Sequence, residues 1–204
     1  MTSLANRRSA ILLFSLPDCL HSHRTRLVIK EKEISAELHE IDVTNISEEI
    51  KSISPYDDFP TLVDRELVLQ NSRVIIEYLD ERFPHPPLLP VDPVARAKFR
   101  LALDRIEHQW YPDFDNAYQN GVLDEKFKEK IKSYFLEIVP LISDSYFMSE
   151  DFGLFDCSLA PLLWRTRCLG LEITENKKII EDYSDRIFNR ESFQASLTET
   201  ERDM

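Results

Sequence analysis

The stretch "LQNSRVIIEYLDERFPHPPLLPVDPVAR" (Leu69–Arg96) decides how this chain is divided. Its first part, Ser72–Phe83, carries apolar residues on one face at helical spacing. Residues 81–93 then hold five of the eleven prolines of the chain. Because proline lacks a backbone N–H and has a fixed φ, a segment this rich in proline ends the helix and stays stiff. The stretch therefore predicts a rigid joint, with one folded part before it and another after it.

Before the joint, short apolar runs alternate with helical patterns. Strand patterns cover Ala10–Ser15, Ala36–Asp42 and Pro60–Gln70, the last folded back at a tight Asp64-Arg65 turn. Helical patterns cover His23–Glu33, Ile46–Ser54 and Ser72–Phe83. This order predicts an α/β domain over residues 1–86, in which helices pack on a small mixed sheet.

After the joint, the strand patterns disappear. A long helix is expected to follow Pro93 and to bend near Pro112, where an interior proline disturbs helical hydrogen bonding. "FDCSLAPLLWRTRCLGL" (Phe155–Leu171) is apolar nearly all round, which is typical of the central helix of a bundle. We therefore predict an all-helical domain over residues 92–204, with residues 87–91 as a proline-rich linker.

The charge and the cysteines exclude several classes of protein. The formal net charge of −12 is spread over both halves, so binding to nucleic acid or to anionic lipid is not expected. A partner with a basic surface fits this charge better. No stretch approaches the roughly 20 apolar residues of a membrane span. Three cysteines, Cys19, Cys157 and Cys168, are too few for a disulfide framework and favour a reducing compartment, the cytoplasm.

Three motifs, together with the order of the two parts, carry a resemblance to a known fold. They are "FPTLVD" (Phe59–Asp64), the joint stretch, and "FDCSLAPLLWR" (Phe155–Arg165). Over its whole length the chain resembles the glutathione S-transferase fold, which implies an N-terminal thioredoxin-like domain and a C-terminal helical bundle domain. Within that fold, the runs "YLDERFPHPPLLPV", "SLAPLLWR" and "RESFQASLTE" resemble the bacterial stringent starvation protein A family.

That resemblance implies a regulator and not an enzyme. Members of the family associate with RNA polymerase holoenzyme, usually as homodimers. By resemblance, we expect contact with the polymerase and its sigma factor in stress or stationary-phase transcription. We expect no cofactor, no direct contact with nucleic acid and no membrane association. The partner-binding surface that the family implies falls on Pro84, His85 and Pro86.

The residues of this proline stretch allow two interpretations by themselves. A stiff ridge loses little conformational entropy when it binds, which suits a surface for a protein partner. Alternatively, the prolines only fix the orientation of two domains. Our hypothesis combines both: Pro87, Pro90 and Pro93 hold the domains, while Pro84–Pro86 faces the partner.

A vestigial glutathione-type pocket is expected around Phe59, Pro60, Asn71, Ser72 and Cys19. In transferases that the chain resembles, the proline is cis and an acid-serine pair begins the third helix. Here the pair is Asn71-Ser72, so the charge that would meet an ammonium group of glutathione is missing. Since a charge-assisted hydrogen bond is about twice as strong as a neutral one, affinity should fall. Ser72 is expected to cap the helix or to bind an anion.

The alternative function is a glutathione-dependent thiol transferase or dehydroascorbate-type reductase with Cys19 as nucleophile. A cysteine at the start of the first helix can be ionised by the helix dipole. The first 55 residues contain no tyrosine, so the tyrosine-assisted mechanism lacks its residue. We favour a structural role for Cys19, because no second cysteine follows at Cys-x-x-Cys spacing.

The remaining candidates are interpreted as structural. His21 and His23 near Cys19 suggest a metal, but alternate spacing at a helix start points side chains in different directions, and no metal is expected. Cys157 and Cys168 are expected in the core. Asp156 is half of a capping box whose other position is Gly153, so this helix end should be weaker than a complete box.

Overall fold

A computed structural model describes residues 10–56, 58–121, 123–142, 145–171, 173 and 175–204. The strands are β1 (Ile11–Ser15), β2 (Ala36–Glu40), β3 (Thr61–Asp64) and β4 (Leu67–Leu69). The helices before the proline stretch are α1 (Leu20–Glu31), α2 (Glu48–Ile53) and α3 (Ser72–Arg82). Those after it are α4 (Pro93–Arg105), a π-helical turn (Ile106–Trp110), α5 (Tyr111–Gln119), α6 (Glu125–Ile138), a 3-10 turn (Val139–Leu141), α7 (Leu154–Cys168), α8 (Lys177–Phe188), α9 (Glu191–Ser196) and α10 (Glu199–Arg202).

The four strands form one mixed sheet in the order β2-β1-β3-β4. β1 pairs parallel to β2, which requires the crossover through α1, and β3 pairs antiparallel to β1 and to β4. All five residues of β1 are buried, as expected of a strand between two others. The expected hairpin is present, but its turn is Arg65-Glu66 and not Asp64-Arg65, and Arg65 has a φ of 59°.

Local capping sets the helix boundaries that differ from the sequence pattern. α1 begins at Leu20, before the predicted start, because Cys19 is extended and its carbonyl accepts a hydrogen bond from His23 N at 2.9 Å. α2 begins at Glu48 because the Ser47 side chain accepts a hydrogen bond from Ile50 N. The start of α2 depends on one hydroxyl, which an apolar periodicity does not register.

The chain divides into two compact units, one ending at Pro86 and including Ala195–Asp203, the other spanning Pro87–Gln194 with Met204. This differs from the predicted domains in two places. The sequence predicts Ala195–Asp203 in the helical domain, yet this segment belongs to the first unit. The sequence predicts a linker over residues 87–91, yet these residues begin the second unit, where Leu88 O accepts a hydrogen bond from Leu154 N at 2.9 Å.

Buried polar groups hold the C-terminal segment in the first unit. Arg26 on α1 donates to Ser196 O at 2.9 Å and to Glu201 Oε2 at 2.7 Å. The Thr198 hydroxyl donates to Pro17 O at 2.9 Å and caps α10 by accepting from Glu201 N. Because these groups are buried, each needs its partner. A hydrophobic pattern alone could not reveal this connection.

The second unit is helical around α7. Most side chains of α7 are buried, as its apolar sequence predicts. The predicted bend near Pro112 is a π-helical turn, Ile106–Trp110, in which Tyr111 N donates to Ile106 O, five residues back. Since Pro112 cannot donate to the carbonyl of His108 and its ring crowds that group, the wider turn accommodates it.

Asp156 organises the start of α7. Its carboxylate accepts hydrogen bonds from Gly153 N at 2.8 Å, from Phe147 N at 3.1 Å and from the Tyr183 hydroxyl at 2.5 Å. Burial raises the pKa of Asp156 to about 6, although these hydrogen bonds favour the charged form. The acid therefore ties three segments of the second unit together, which is more than the half capping box expected of it.

Among the residues that the structure describes, no helix is both long enough and apolar enough to cross a membrane.

Candidate functional site

The proline turn after α3 is the candidate partner-binding site. Residues Pro84, His85, Pro86 and Pro87 are all exposed, and the His85–Pro86 peptide bond is cis. Exposed prolines beside an exposed imidazole offer a preformed apolar surface with one polar group at its centre. The structure therefore places the three predicted partner-binding residues together at the surface.

A buried ion pair lies beneath this turn. Lys32 directly follows α1 as its C-cap residue and is 5% exposed. Its ammonium group donates to Asp80 Oδ1 at 2.7 Å and to Pro86 O at 2.6 Å. Asp80 belongs to α3 and is 7% exposed. The turn is thus bonded to α1 directly and to α3 through Asp80. Sequence reasoning missed Lys32, because one lysine in the charged run "KEKE" gives no sign of burial.

The three prolines Pro87, Pro90 and Pro93 are exposed or half-buried. Pro87 and Pro93 are exposed and Pro90 is half-buried, whereas Leu88 and Leu89 are buried. The hypothesis that Pro87, Pro90 and Pro93 hold the domains stays a prediction, since a proline ring restricts the backbone whether it is buried or exposed. The start of the second unit is held by the two leucines, because their apolar side chains gain most from burial.

The glutathione-type pocket begins at the loop before β3. The Phe59–Pro60 bond is cis, as predicted, and Pro60 is buried. Phe59 is half-buried and packs on the cluster of Leu12, Phe14 and Ile41. The loop is fixed by Thr61 and Ser54, whose hydroxyls donate to Asp58 O at 2.5 Å and 3.1 Å.

Asn71, and not Ser72, caps α3. The Asn71 Oδ1 atom accepts hydrogen bonds from Arg73 N at 2.9 Å and from Val74 N at 3.2 Å. An asparagine is as good an N-cap as a serine, so the helix start is satisfied without Ser72. The expectation that Ser72 caps this helix is therefore wrong.

The hydroxyl of Ser72 is hydrogen-bonded to two side chains inside the protein. It accepts hydrogen bonds from Arg24 Nε at 3.2 Å and Arg24 Nη2 at 2.5 Å, and it lies 2.9 Å from His21 Nδ1. The direction of the Ser72–His21 hydrogen bond depends on the tautomer of His21. These internal partners compete with a ligand for the Ser72 hydroxyl.

Cys19 lies at the N-terminus of α1, as predicted. It is half-buried, and its side chain makes no capping hydrogen bond. His21 and His23 point to different partners: His21 meets Ser72, while His23 lies 3.2 Å from Ser196 Oγ and 3.4 Å from Glu201 Oε1. Over the described ranges, no three His, Cys, Asp or Glu side chains are grouped so that they could hold a metal ion.

The other two cysteines differ in burial. Cys157 is buried in α7, as expected. Cys168 is half-buried at the end of the same helix, and burial raises the pKa of its thiol above the usual value. Cys168 is therefore a neutral thiol at physiological pH and only partly a core residue.

Two grooves lie within the second unit, with volumes of about 480 Å³ and about 250 Å³. They share Thr166, Gly170, Leu171 and Ile173 as lining, at the end of α7 and in the loop after it. Neither is lined by a residue that the sequence analysis selected. The sequence carries no signal for them, since they arise from how α6, α7 and α8 pack.

Comparisons with known proteins identify the family of this chain. The family model for the glutathione S-transferase N-terminal domain matches residues 13–87. A stringent starvation protein A homolog of Haemophilus influenzae is 46% identical over 98% of this chain and 95% of its own. Homologs of the same name from Histophilus somni and Coxiella burnetii are 47% and 44% identical, over 98% and 97% of this chain and 95% and 96% of their own. The chain belongs to the stringent starvation protein A family.

Solved structures show the fold that this stringent starvation protein A family member shares with transferases. Glutathione transferase Omega 3C of Trametes versicolor matches with a TM-score of 0.83 at 22% identity, over 96% of this chain and 88% of its own. A delta-class glutathione transferase of Nilaparvata lugens matches with a TM-score of 0.83 at 22% identity, over 95% of each chain. The predicted fold is therefore confirmed.

Proposed function

We propose that this chain is an RNA polymerase-associated transcription regulator of the stringent starvation protein A type, acting in stress or stationary phase. It works in the cytoplasm by contact with the polymerase holoenzyme, including the sigma factor. The observation that carries the proposal is the exposed Pro84-His85-Pro86 turn, fixed from below by Lys32. A rigid exposed turn binds a protein with little loss of entropy.

The charge of the chain supports a protein partner. A net charge of −12 repels nucleic acid and attracts basic surfaces, such as the DNA-binding parts of a sigma factor. Regulation by protein contact therefore needs no reading of DNA by this chain.

The altered pocket supports a function without glutathione transfer. The Ser72 hydroxyl is hydrogen-bonded to Arg24 and His21. The side-chain oxygen of the uncharged Asn71 accepts the hydrogen bonds that cap the helix. The missing charge at Asn71 weakens recognition of the ammonium end of a γ-glutamyl group, and the internal bonds of Ser72 compete with its carboxylate end. No cofactor is part of the proposal.

We also propose that the chain acts as a homodimer. In the second unit, Val94 and Leu101 on α4 are 64% and 70% exposed, and they lie two turns apart on one face. In the first unit, Val74 on α3 is 50% exposed. The pair of exposed apolar side chains on α4 favours burial against a second copy. Sedimentation of the purified chain at micromolar concentration should give a dimer of 24.0 kDa subunits, and a monomer would contradict this part.

Binding to purified RNA polymerase holoenzyme tests the proposal. The immobilised chain should retain the holoenzyme, and the variant Pro84→Ala/His85→Ala/Pro86→Ala should lose retention and reporter activation. His108→Ala/Pro140→Ala, which changes a histidine and a proline that are also exposed, is the matched control and should behave as wild type. Equal retention by the triple variant and the wild type would rule the proposal out.

A thiol transferase is the second candidate, and the place of Cys19 at the start of α1 favours it. Glutathione transferases of the Omega class are among the structural neighbours. The test is retention on glutathione resin and thiol-transfer activity, comparing wild type with Cys19→Ser and with Cys168→Ser as control. Activity lost only in Cys19→Ser would establish this function, and no retention with no activity would remove it.

A further inference from the structure

The Pro84–Pro87 turn has almost no backbone donors of its own. Three of its four residues are prolines, so only His85 has a backbone N–H. Turns and helix ends are ordinarily held by N–H groups that donate to nearby carbonyls. This turn cannot hold itself in that way, and its fixed shape needs a donor from elsewhere in the chain.

Lys32 supplies that donor. Its Nζ atom lies 2.6 Å from Pro86 O, and its side chain is fully buried. Burial of a lysine ammonium is costly unless a counter-charge and acceptors are close. Asp80 Oδ1, at 2.7 Å, provides the counter-charge, and the Pro86 carbonyl provides the second acceptor.

We infer that Lys32 is the positioning residue of the proline turn: its buried ammonium, held by Asp80, fixes the Pro86 carbonyl and thereby the surface that Pro84 and His85 present. The inference deepens the proposed function and rests on it for the identity of the partner. Lys32 itself is buried, so it acts on binding only through the turn.

The alternative is that the Lys32–Asp80 pair only stabilises the first unit. A pair of substitutions separates the two roles. Lys32→Met alone removes the buried cation that pairs with Asp80 and should lower stability. Lys32→Met together with Asp80→Leu removes both charges, and replacing a buried ion pair by apolar residues of similar volume is often neutral or stabilising. The double variant should therefore fold with a melting temperature near that of wild type, but without the donor to Pro86.

Two measurements report on the turn in the double variant. The NMR signals of the His85 ring and of the Pro84, Pro86 and Pro87 side chains should shift toward the values of an unfolded peptide, while the amide signals of β1 and α7 stay unchanged. Polymerase affinity should fall by roughly tenfold, because a turn that has lost this bond must be ordered when it binds. Lys30→Met, on the last turn of the same helix, is the matched control and should change neither.

A measurement on the unaltered chain tests the geometry without any substitution. The Lys32 ammonium should give a slowly exchanging ¹⁵N signal with restricted rotation near neutral pH. A freely rotating, rapidly exchanging ammonium would overturn the inference, as would a folded double variant whose His85 and proline side-chain signals match those of wild type. If the alanine triple variant keeps its polymerase affinity, the proposed function fails, and the turn signals and the ammonium measurement still decide the role of Lys32.

Discussion

The Arg26 guanidinium and the Glu201 carboxylate lie 2.7 Å apart, although 175 positions separate them along the chain. Glu201 is fully buried, and its second oxygen lies 3.4 Å from His23 Nδ1. Arg26 also donates to Ser15 Oγ and Leu16 O, both at 3.0 Å. One buried arginine therefore joins the end of β1, helix α1 and the C-terminal segment.

Glu201→Ala should destabilise the first unit by about 3–5 kcal/mol, because it leaves the Arg26 charge buried without its counter-ion. Urea unfolding followed by circular dichroism measures the change. Glu199→Ala, in the same short helix but exposed, is the control and should cost less than about 1 kcal/mol. Equal losses in the two variants would show that the ion pair does not hold the segment.

Asp156 should make stability depend on pH in a particular direction. Its pKa is about 6 in the folded chain and 3.8 when unperturbed. Between these values the folded state holds a proton that the unfolded state has released. The stability contribution of Asp156 is therefore complete below about pH 4 and declines as the pH rises to about 6, by on the order of 3 kcal/mol in total.

Asp156→Asn tests this, since asparagine cannot ionise. The difference in unfolding free energy between wild type and Asp156→Asn should shift in favour of the variant from pH 4.5 to pH 7. Asp151→Asn, at an exposed position, should show no such trend. A difference that does not change with pH would contradict the raised pKa.

Much of the fold could be predicted from sequence, because apolar periodicity and proline content record burial and chain breaks. The mixed sheet and the central α7 helix agree with this expectation, and the cis Phe59–Pro60 bond agrees with what the family resemblance implies. A cap at the pair Asn71-Ser72 was within reach of the sequence, but which of the two residues caps α3, and the lysine under the turn, could not be found in this way. Both depend on which polar atom meets which, and a pattern of polar and apolar letters does not specify that.

The same limit explains the division of the chain. The sequence of Ala195–Asp203 indicates only a short helical tail, and its place in the first unit depends on hydrogen bonds to Arg26 and Pro17. These partners are distant in sequence, so no local signal points to them.

Asn71 should contribute to stability as a helix cap and not through ligand binding. Asn71→Ala should cost about 1 kcal/mol, the usual loss when two N-terminal amides lose their acceptor. Asn71→Asp should restore the cap, because the carboxylate can accept from the same amides of Arg73 and Val74. Thermal unfolding measures both, and a loss of polymerase binding in Asn71→Ala at unchanged stability would instead give Asn71 a binding role.

Leu88, and not Pro87, should carry the stability of the segment that begins the second unit. Leu88 is 3% exposed and its carbonyl bonds to Leu154 N, whereas Pro87 is exposed. Leu88→Ala should cost about 2–5 kcal/mol, because it removes buried methyl groups and leaves a cavity. Pro87→Ala removes no buried group and should cost under about 1 kcal/mol, mainly through added freedom of the unfolded chain. Chemical denaturation of both variants checks this, and a larger loss in Pro87→Ala than in Leu88→Ala would restore the view that the proline fixes the segment.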